Sequence, residues 1–252
     1  MAFRNHTRRT YKNPPIEEAL CAFYFAPGTE WDLTLPGRLH ERIRTLYDGK
    51  PRQQSGFEAR LEHSVQDNTL AFRQATQRVQ LPNRDGNRLA AIGPESLSIH
   101  MLRPYGGWDE EFKGQIQQVC DAFTEVSDAE ISRLALRYIN RIEIPETYCP
   151  LNEYFALSMN LPDDYPQPLR GFFHRVESNI DDTQVSLALT FANTNAPEGK
   201  SAFLLDLDLT WTLSEPATLN DAAERMDQLR TMERDAFESM ITDKARSLFD
   251  AD

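Results

Sequence analysis

The sequence predicts an α+β fold made of two similarly organised halves, residues 14–128 and 129–252, behind a flexible basic arm of residues 1–13. Three features point to it. Short runs that alternate apolar with polar residues recur between Gly-, Pro-, Asn- and Asp-rich breaks, the pattern of half-buried strands. An apolar stripe stepping by three and four residues follows the first group of runs, and another follows the second group. A chain of 252 residues is long enough for two units of ordinary domain size.

The arm carries Arg4, Arg8, Arg9 and Lys12 with no apolar run behind them, so it reads as neither a secretory leader nor an anchor. Pro14-Pro15 imposes extended backbone. Ile16–Phe25 then reads as an aromatic-rich strand, broken by Pro27-Gly28. Over Pro36–Tyr47, Leu39, Ile43 and Leu46 stand at helical spacing, with Pro36 suited to the first turn and Asp48-Gly49 as the stop. Phe57–His63 alternates cleanly, and Leu70–Leu81 is a weaker strand. Asp85-Gly86 is a hairpin signal, and Arg88–Ile92 and Ser96–Leu102 follow, joined by Gly93-Pro94. After Gly106-Gly107, the residues Trp108, Phe112, Ile116, Val119, Phe123 and Val126 form a single helical stripe.

The second half repeats the order. Ile131–Ile144 is a long alternating strand, Pro150–Leu157 a short helix, and Leu169–Ser178, Gln184–Phe191 and Ala202–Leu213 are strands. Asp181-Asp182 and the segment 193–199 connect them. A long helix from about Leu219 to Phe249 closes the chain on Leu219, Ala222, Met226, Leu229, Ala236, Met240 and Leu248. Each half thus reads strand, helix, antiparallel strands, helix. That is a tandem helix-grip or TATA-binding-protein-like arrangement, in which a helix covers one face of a curved sheet.

Composition narrows the class. Cys21, Cys120 and Cys149 are scattered and form no CxxC pair, which reads as reduced thiols in a cytoplasmic protein. No apolar run approaches a membrane span. With 39 Asp and Glu against 27 Lys and Arg, the net charge of -12 disfavours general binding to a nucleic-acid backbone. From Asp206 onward twelve acidic residues face five basic ones, an acidic surface on the closing segment.

Four segments carry a family resemblance. They are Tyr11–Ala19 (YKNPPIEEA), Pro104–Phe112 (PYGGWDEEF), Leu136–Ile142 (LRYINRI) and Phe237–Lys244 (FESMITDK). Together they resemble a sporadically distributed, uncharacterised family of bacterial and archaeal proteins of about 250 residues, over nearly the whole chain. The resemblance implies no catalytic residue or cofactor. The patchy occurrence of the family implies mobile-element, toxin–antitoxin or phage-defence settings.

The best candidate for chemistry is Ile131–Ile144. Alternation puts Leu134, Leu136, Tyr138, Asn140, Ile142 and Ile144 on one face and Arg133, Arg137 and Arg141 on the other. Successive arginines then stand about 13 Å apart. Guanidinium forks suit phosphate or carboxylate, so Arg133, Arg137 and Arg141 are candidate ligand-binding residues for an anion. The competing reading is cross-strand ion pairing, with Asp206 and Asp208 of Ala202–Leu213 as the partners. Those two aspartates share a face about 6.6 Å apart and are also candidate ligands for a divalent metal, which would need a third ligand such as Glu177 or Glu143. Asn140 is the polar member of the apolar face, either bonded to a neighbouring loop or reaching a ligand.

His6, His40, His63, His100 and His174 form no metal-binding spacing, and there is no phosphate loop, dinucleotide fingerprint or nucleophile elbow, so no cofactor is expected. The turn Pro104–Trp108 either seats a helix or stacks a ring. Two functional classes remain. One is a non-enzymatic binding or adaptor protein, its partner a protein, a second copy or a small anion. The other is a metal-dependent enzyme acting on a nucleotide or nucleic acid. The lack of a nucleophile–base set favours the first.

Overall fold

The computed structural model describes residues 9–54, 57–63, 68–74, 77–157, 162, 164, 171–180 and 183–250. In chain order the elements are β1 (Ile16–Phe25), α1 (Leu35–Ile43), β2 (Arg52–Gln54), β3 (Phe57–His63), β4 (Asn68–Gln74), β5 (Arg78–Pro82), β6 (Arg88–Ile92) and β7 (Ser96–Leu102). A π-helical turn (Trp108–Phe112) runs into α2 (Lys113–Thr124). Then come β8 (Ile131–Ile144), α3 (Leu151–Tyr154), β9 (Phe173–Asn179), β10 (Val185–Thr194), β11 (Ser201–Ala217), α4 (Leu219–Glu224), α5 (Met226–Met240) and α6 (Asp243–Asp250).

The fold is mixed α+β, built on an antiparallel sheet of nine strands among the described residues, in the order β2-β5-β6-β7-β1-β8-β11-β10-β9. β3 and β4 form a separate two-stranded sheet. β1 and β8 lie side by side at the centre, with Leu20 opposite Arg137 and Phe23 opposite Leu134. From this seam the chain builds outward on both sides, through β7, β6 and β5 on one and β11, β10 and β9 on the other.

Period-two alternation decides which face is covered. Leu134, Leu136, Tyr138, Ile142 and Ile144 of β8, with Leu205, Leu207 and Leu209 of β11, are fully buried on the side that receives α5. Phe25 stacks on Phe123 at 5.6 Å between ring centroids, tying β1 to α2. Truncating such a buried ring costs about 3–5 kcal/mol in transfer and cavity terms, so Phe123→Ala would loosen this layer. The opposite face is small and polar, with Ser98, Ala22, Ala135, Thr190 and Asp206 packed low among longer charged side chains.

Several expectations need correction. The closing helix is not continuous. Arg225 ends α4, and Ile241 is extended (φ -118°, ψ 154°) between α5 and α6. There Ile241 forms a bridge with Phe155, and Thr242 N–H bonds Tyr154 O at 3.0 Å, so a tertiary pairing overrides helical propensity. Thr242 Oγ also accepts from Ala245 N–H and so starts α6. The weak strand Leu70–Leu81 divides into β4 and β5, which belong to different sheets, and residues 75–76 between them lie outside the described residues. The short edge strand β2 had no alternation to reveal it. α1 stops at Ile43 rather than Tyr47. The first residues of the expected strand Leu169–Ser178, the turn Asp181-Asp182 and residues 1–8 of the arm lie outside the described residues.

Candidate functional site

Arg133, Arg137 and Arg141 all fall on the sheet face away from α5, and each has company. Arg137 Nε and Nη2 donate to the two oxygens of Asp206 at 2.8 and 2.7 Å. Arg141 Nε donates to Glu143 and its Nη2 to Asn195 O. Arg133 lies 3.8 Å over the Tyr24 ring, a cation–π contact. The cross-strand pairing that the alternation allows is thus present at Arg137. The hydrogen bond to Asp206 and the nearby Asp206 and Asp208 charges push the Arg137 guanidinium pKa up against the effect of burial.

Asp208 stands opposite Arg137 in the ladder, and burial pushes its carboxyl pKa up, with Arg137 pulling the other way. Glu177 is paired with Arg175, and Glu143 with Arg141 and Lys200. Among the described residues no group of three or more His, Cys, Asp or Glu comes together as a metal would require. On the same face, His100 Nδ1 lies 2.6 Å from Glu18 Oε1 and His100 Nε2 lies 2.9 Å from Ser98 Oγ. The hydrogen bond from His100 holds the Glu18 carboxyl below the usual carboxylate range, outweighing burial. The sequence offered no sign of this trio, since Glu18 is 82 residues from His100.

The other face of β8 holds a cleft of about 250 Å³. Its walls come from four distant stretches: residues 9–16, the Tyr105–Glu110 turn, Asn140 of β8 and the Arg230–Glu238 side of α5. Each of the four segments that carry the family resemblance places residues here: Tyr11 and Pro14, Tyr105 and Trp108, Asn140, and Phe237 and Glu238.

The floor of this cleft is polar. Asn140 is 2% exposed and donates through Nδ2 to Leu205 O at 3.1 Å. Glu233 is 2% exposed and pairs with Arg230, whose side chain is 15% exposed and lies 4.3 Å over the Tyr138 ring. The Arg230 Nε is buried without a hydrogen-bond partner among the described residues. Burial pushes the Glu233 carboxyl up, with Arg230 opposing, while Tyr138 and Glu233 keep the Arg230 guanidinium protonated despite its desolvation. Tyr105 and Tyr138 hydroxyls meet at 2.9 Å, and burial pushes the Tyr105 phenol up to about 12.

The rim is set by local chemistry. Gly107 has φ +95°, a conformation that L side chains rarely adopt, and a Cβ there would run into the Glu110 carboxylate. Trp108 Nε1 donates to Asp227 at 3.0 Å, locking the π-turn onto α5. Tyr11 OH donates to Glu238 at 2.6 Å, Asn13 N–H to Phe249 O at 2.8 Å, and Arg234 to Arg9 O at 2.6 Å, so residues 9–13 form a strap over α5 and α6.

Of the ligand-binding and metal candidates singled out from the sequence, Asn140 reaches this cleft and so does the Tyr105–Trp108 turn, whereas the arginines and aspartates occupy the opposite face. Arg230 and Glu233 were missed because their charge set them apart from the apolar positions by which the helix was read. Their one signal is that they sit among the apolar positions Met226, Leu229 and Ala236. No family model, curated protein or solved structure matches the chain.

Proposed function

We propose that the chain is a non-enzymatic binding protein whose cleft between the strap, the Tyr105–Trp108 turn and α5 takes a small ligand bearing a phosphate or carboxylate. One observation carries this reading: Asn140, Glu233 and Glu238 are buried, and Arg230 is partly buried beside Glu233, beneath an open cleft. Burying charge is costly, and side chains of ordinary core type would be cheaper there. A concave site with a few convergent polar groups is the usual form of a small-molecule pocket. Arg230 and Arg234 supply the cationic contacts, Asn140 a neutral one, and Tyr105 and Phe237 an apolar wall.

The metal-dependent alternative draws less support, because both Asp206 oxygens are taken by Arg137. The finer architecture belongs to the proposal too. We read β1-β7-β6-β5 and β8-β11-β10-β9 as two similar halves meeting at the β1–β8 seam, each covered by the helices that follow its last strand. A cytoplasmic, phage-defence or toxin–antitoxin setting is the biological part of the same reading, supported by the resemblance of the four segments that line the cleft.

The test is thermal unfolding with inorganic phosphate, nucleoside mono- and triphosphates, and mono- and dicarboxylates as probes. A ligand that binds only the folded chain raises its midpoint by mass action. The expected result is a rise with one class of probe that is lost in Arg234→Gln, on the rim, and in Asn140→Ala. No shift with any probe, or a shift indifferent to both variants, overturns the assignment.

A further inference from the structure

The two edges of the large sheet are unlike. β2 is three residues long, and its side chains are occupied with its neighbours: Arg52 Nε bonds Gln80, Gln53 bonds Gln77, and Gln80 bonds Gln54. A short polar edge strand is a standard guard against pairing with another chain. β9, at the opposite edge, is seven residues long and exposed throughout, and among the described residues it pairs with β10 alone. Phe173 is 72% and Val176 44% exposed on it. The row of backbone groups on its outer side therefore has no strand against it among the described residues, and two large apolar side chains on the strand are exposed.

The sequence of this strand, FHRVESN, fits a second copy of itself. In an antiparallel pairing with a two-fold axis at Val176, Arg175 of each copy stands opposite Glu177 of the other, and Phe173 opposite Asn179. Within one copy Arg175 and Glu177 already share a face, with Nε donating to Oε1 at 2.9 Å. A second copy would turn that pair into a square of alternating charge. Opposite charges directly across a ladder stabilise it, and a closed two-fold contact leaves no further edge of this kind.

We propose that two copies of this chain associate through β9, continuing the sheet across a two-fold axis at Val176. One such ladder is small beside the 1,200–2,000 Å² of a typical stable interface, so the dimer is expected to exchange with monomer as concentration changes. This inference stands independently of the cleft, which lies on the helix-covered side of β8.

Sedimentation velocity on the full chain over about a hundredfold range of concentration reads the association directly. The expected result is a monomer–dimer equilibrium. Arg175→Glu, which sets four carboxylates around the axis, and Val176→Lys, which sets two ammonium groups on it, should each leave monomer only. The double change Arg175→Glu with Glu177→Arg restores the alternation and should restore the dimer, separating pairing from any damage to the strand. Val176→Cys should cross-link two chains on mild oxidation, because Cα atoms facing across an antiparallel ladder stand about 4.5–5.5 Å apart, within disulfide reach. A chain that stays monomeric throughout the range, or a dimer unmoved by both single charge variants, overturns the proposal.

Discussion

Arg137 forks onto Asp206 and not onto Asp208, although Asp208 is the residue directly opposite it in the ladder. The diagonal choice leaves one carboxylate with two charge-assisted hydrogen bonds and its neighbour two residues on with none from that fork. The two aspartates should therefore respond oppositely to loss of charge.

Asp206→Asn is expected to destabilise the chain by about 1–2 kcal/mol, the range for a partly exposed bidentate pair. Asp208→Asn is expected to be neutral or stabilising at neutral pH. Its folded carboxyl holds a proton more tightly than in the unfolded chain, so its contribution is fully present below the unfolded pKa and is lost as pH rises through the folded value. Urea unfolding of both variants with Arg137→Met in a double-mutant cycle measures the difference. Equal losses at the two positions would contradict the diagonal fork.

Glu18 supplies the acid side of the pH response. Its folded pKa is depressed by the hydrogen bond from His100, so its contribution is present above the ordinary carboxylate range and fades as pH falls through the folded value. Thermal midpoints followed from about pH 7 to pH 3 should fall less steeply in Glu18→Gln than in the parent. Parallel curves would show that the pairing is energetically silent.

Two glycines give a matched test of the rim. Gly107→Ala meets both a positive φ and the Glu110 side chain and should cost about 1–3 kcal/mol. Gly114→Ala, within α2, has nothing within 4 Å of its new Cβ and should gain about 0.5–1 kcal/mol from helix propensity. Denaturation midpoints of the two variants on either side of the parent are the expected outcome.

Burial pushes the Cys21 and Cys120 thiols well up, and Cys21 lies against Met226, with Sγ···Sδ 3.6 Å. Native protein at neutral pH should leave both unmodified by a thiol reagent that labels them at once in denaturant, since the thiolate is the reactive form. Peptide mapping after brief labelling checks this, and prompt reaction at Cys21 would mean that the β1–α4/α5 packing opens readily.

What was legible in the sequence was local. β8 appears with its predicted ends and faces, because fourteen alternating residues admit one register on a half-covered sheet. The Leu219–Phe249 region was legible as amphipathic but not as broken, since Ile241 leaves the helix only to meet Phe155, some 86 positions earlier. The arginine face followed from alternation alone, whereas its choice of Asp206 depends on a strand more than 60 residues away. The cleft was illegible for the same reason: its walls come together only through tertiary packing, and the place of Arg230 and Glu233 among apolar positions of α5 names no partner for them.

The strap of residues 9–13 has a temporal consequence. Asn13 bonds Phe249 O, Tyr11 packs its ring edge against Phe249, and Tyr11 OH reaches Glu238. During synthesis the strap of residues 9–13 must wait for α6 to leave the ribosome before it can close over the cleft. A nascent chain with its sheet already assembled would still lack the pocket, so any occupant must be taken up after translation has passed α6.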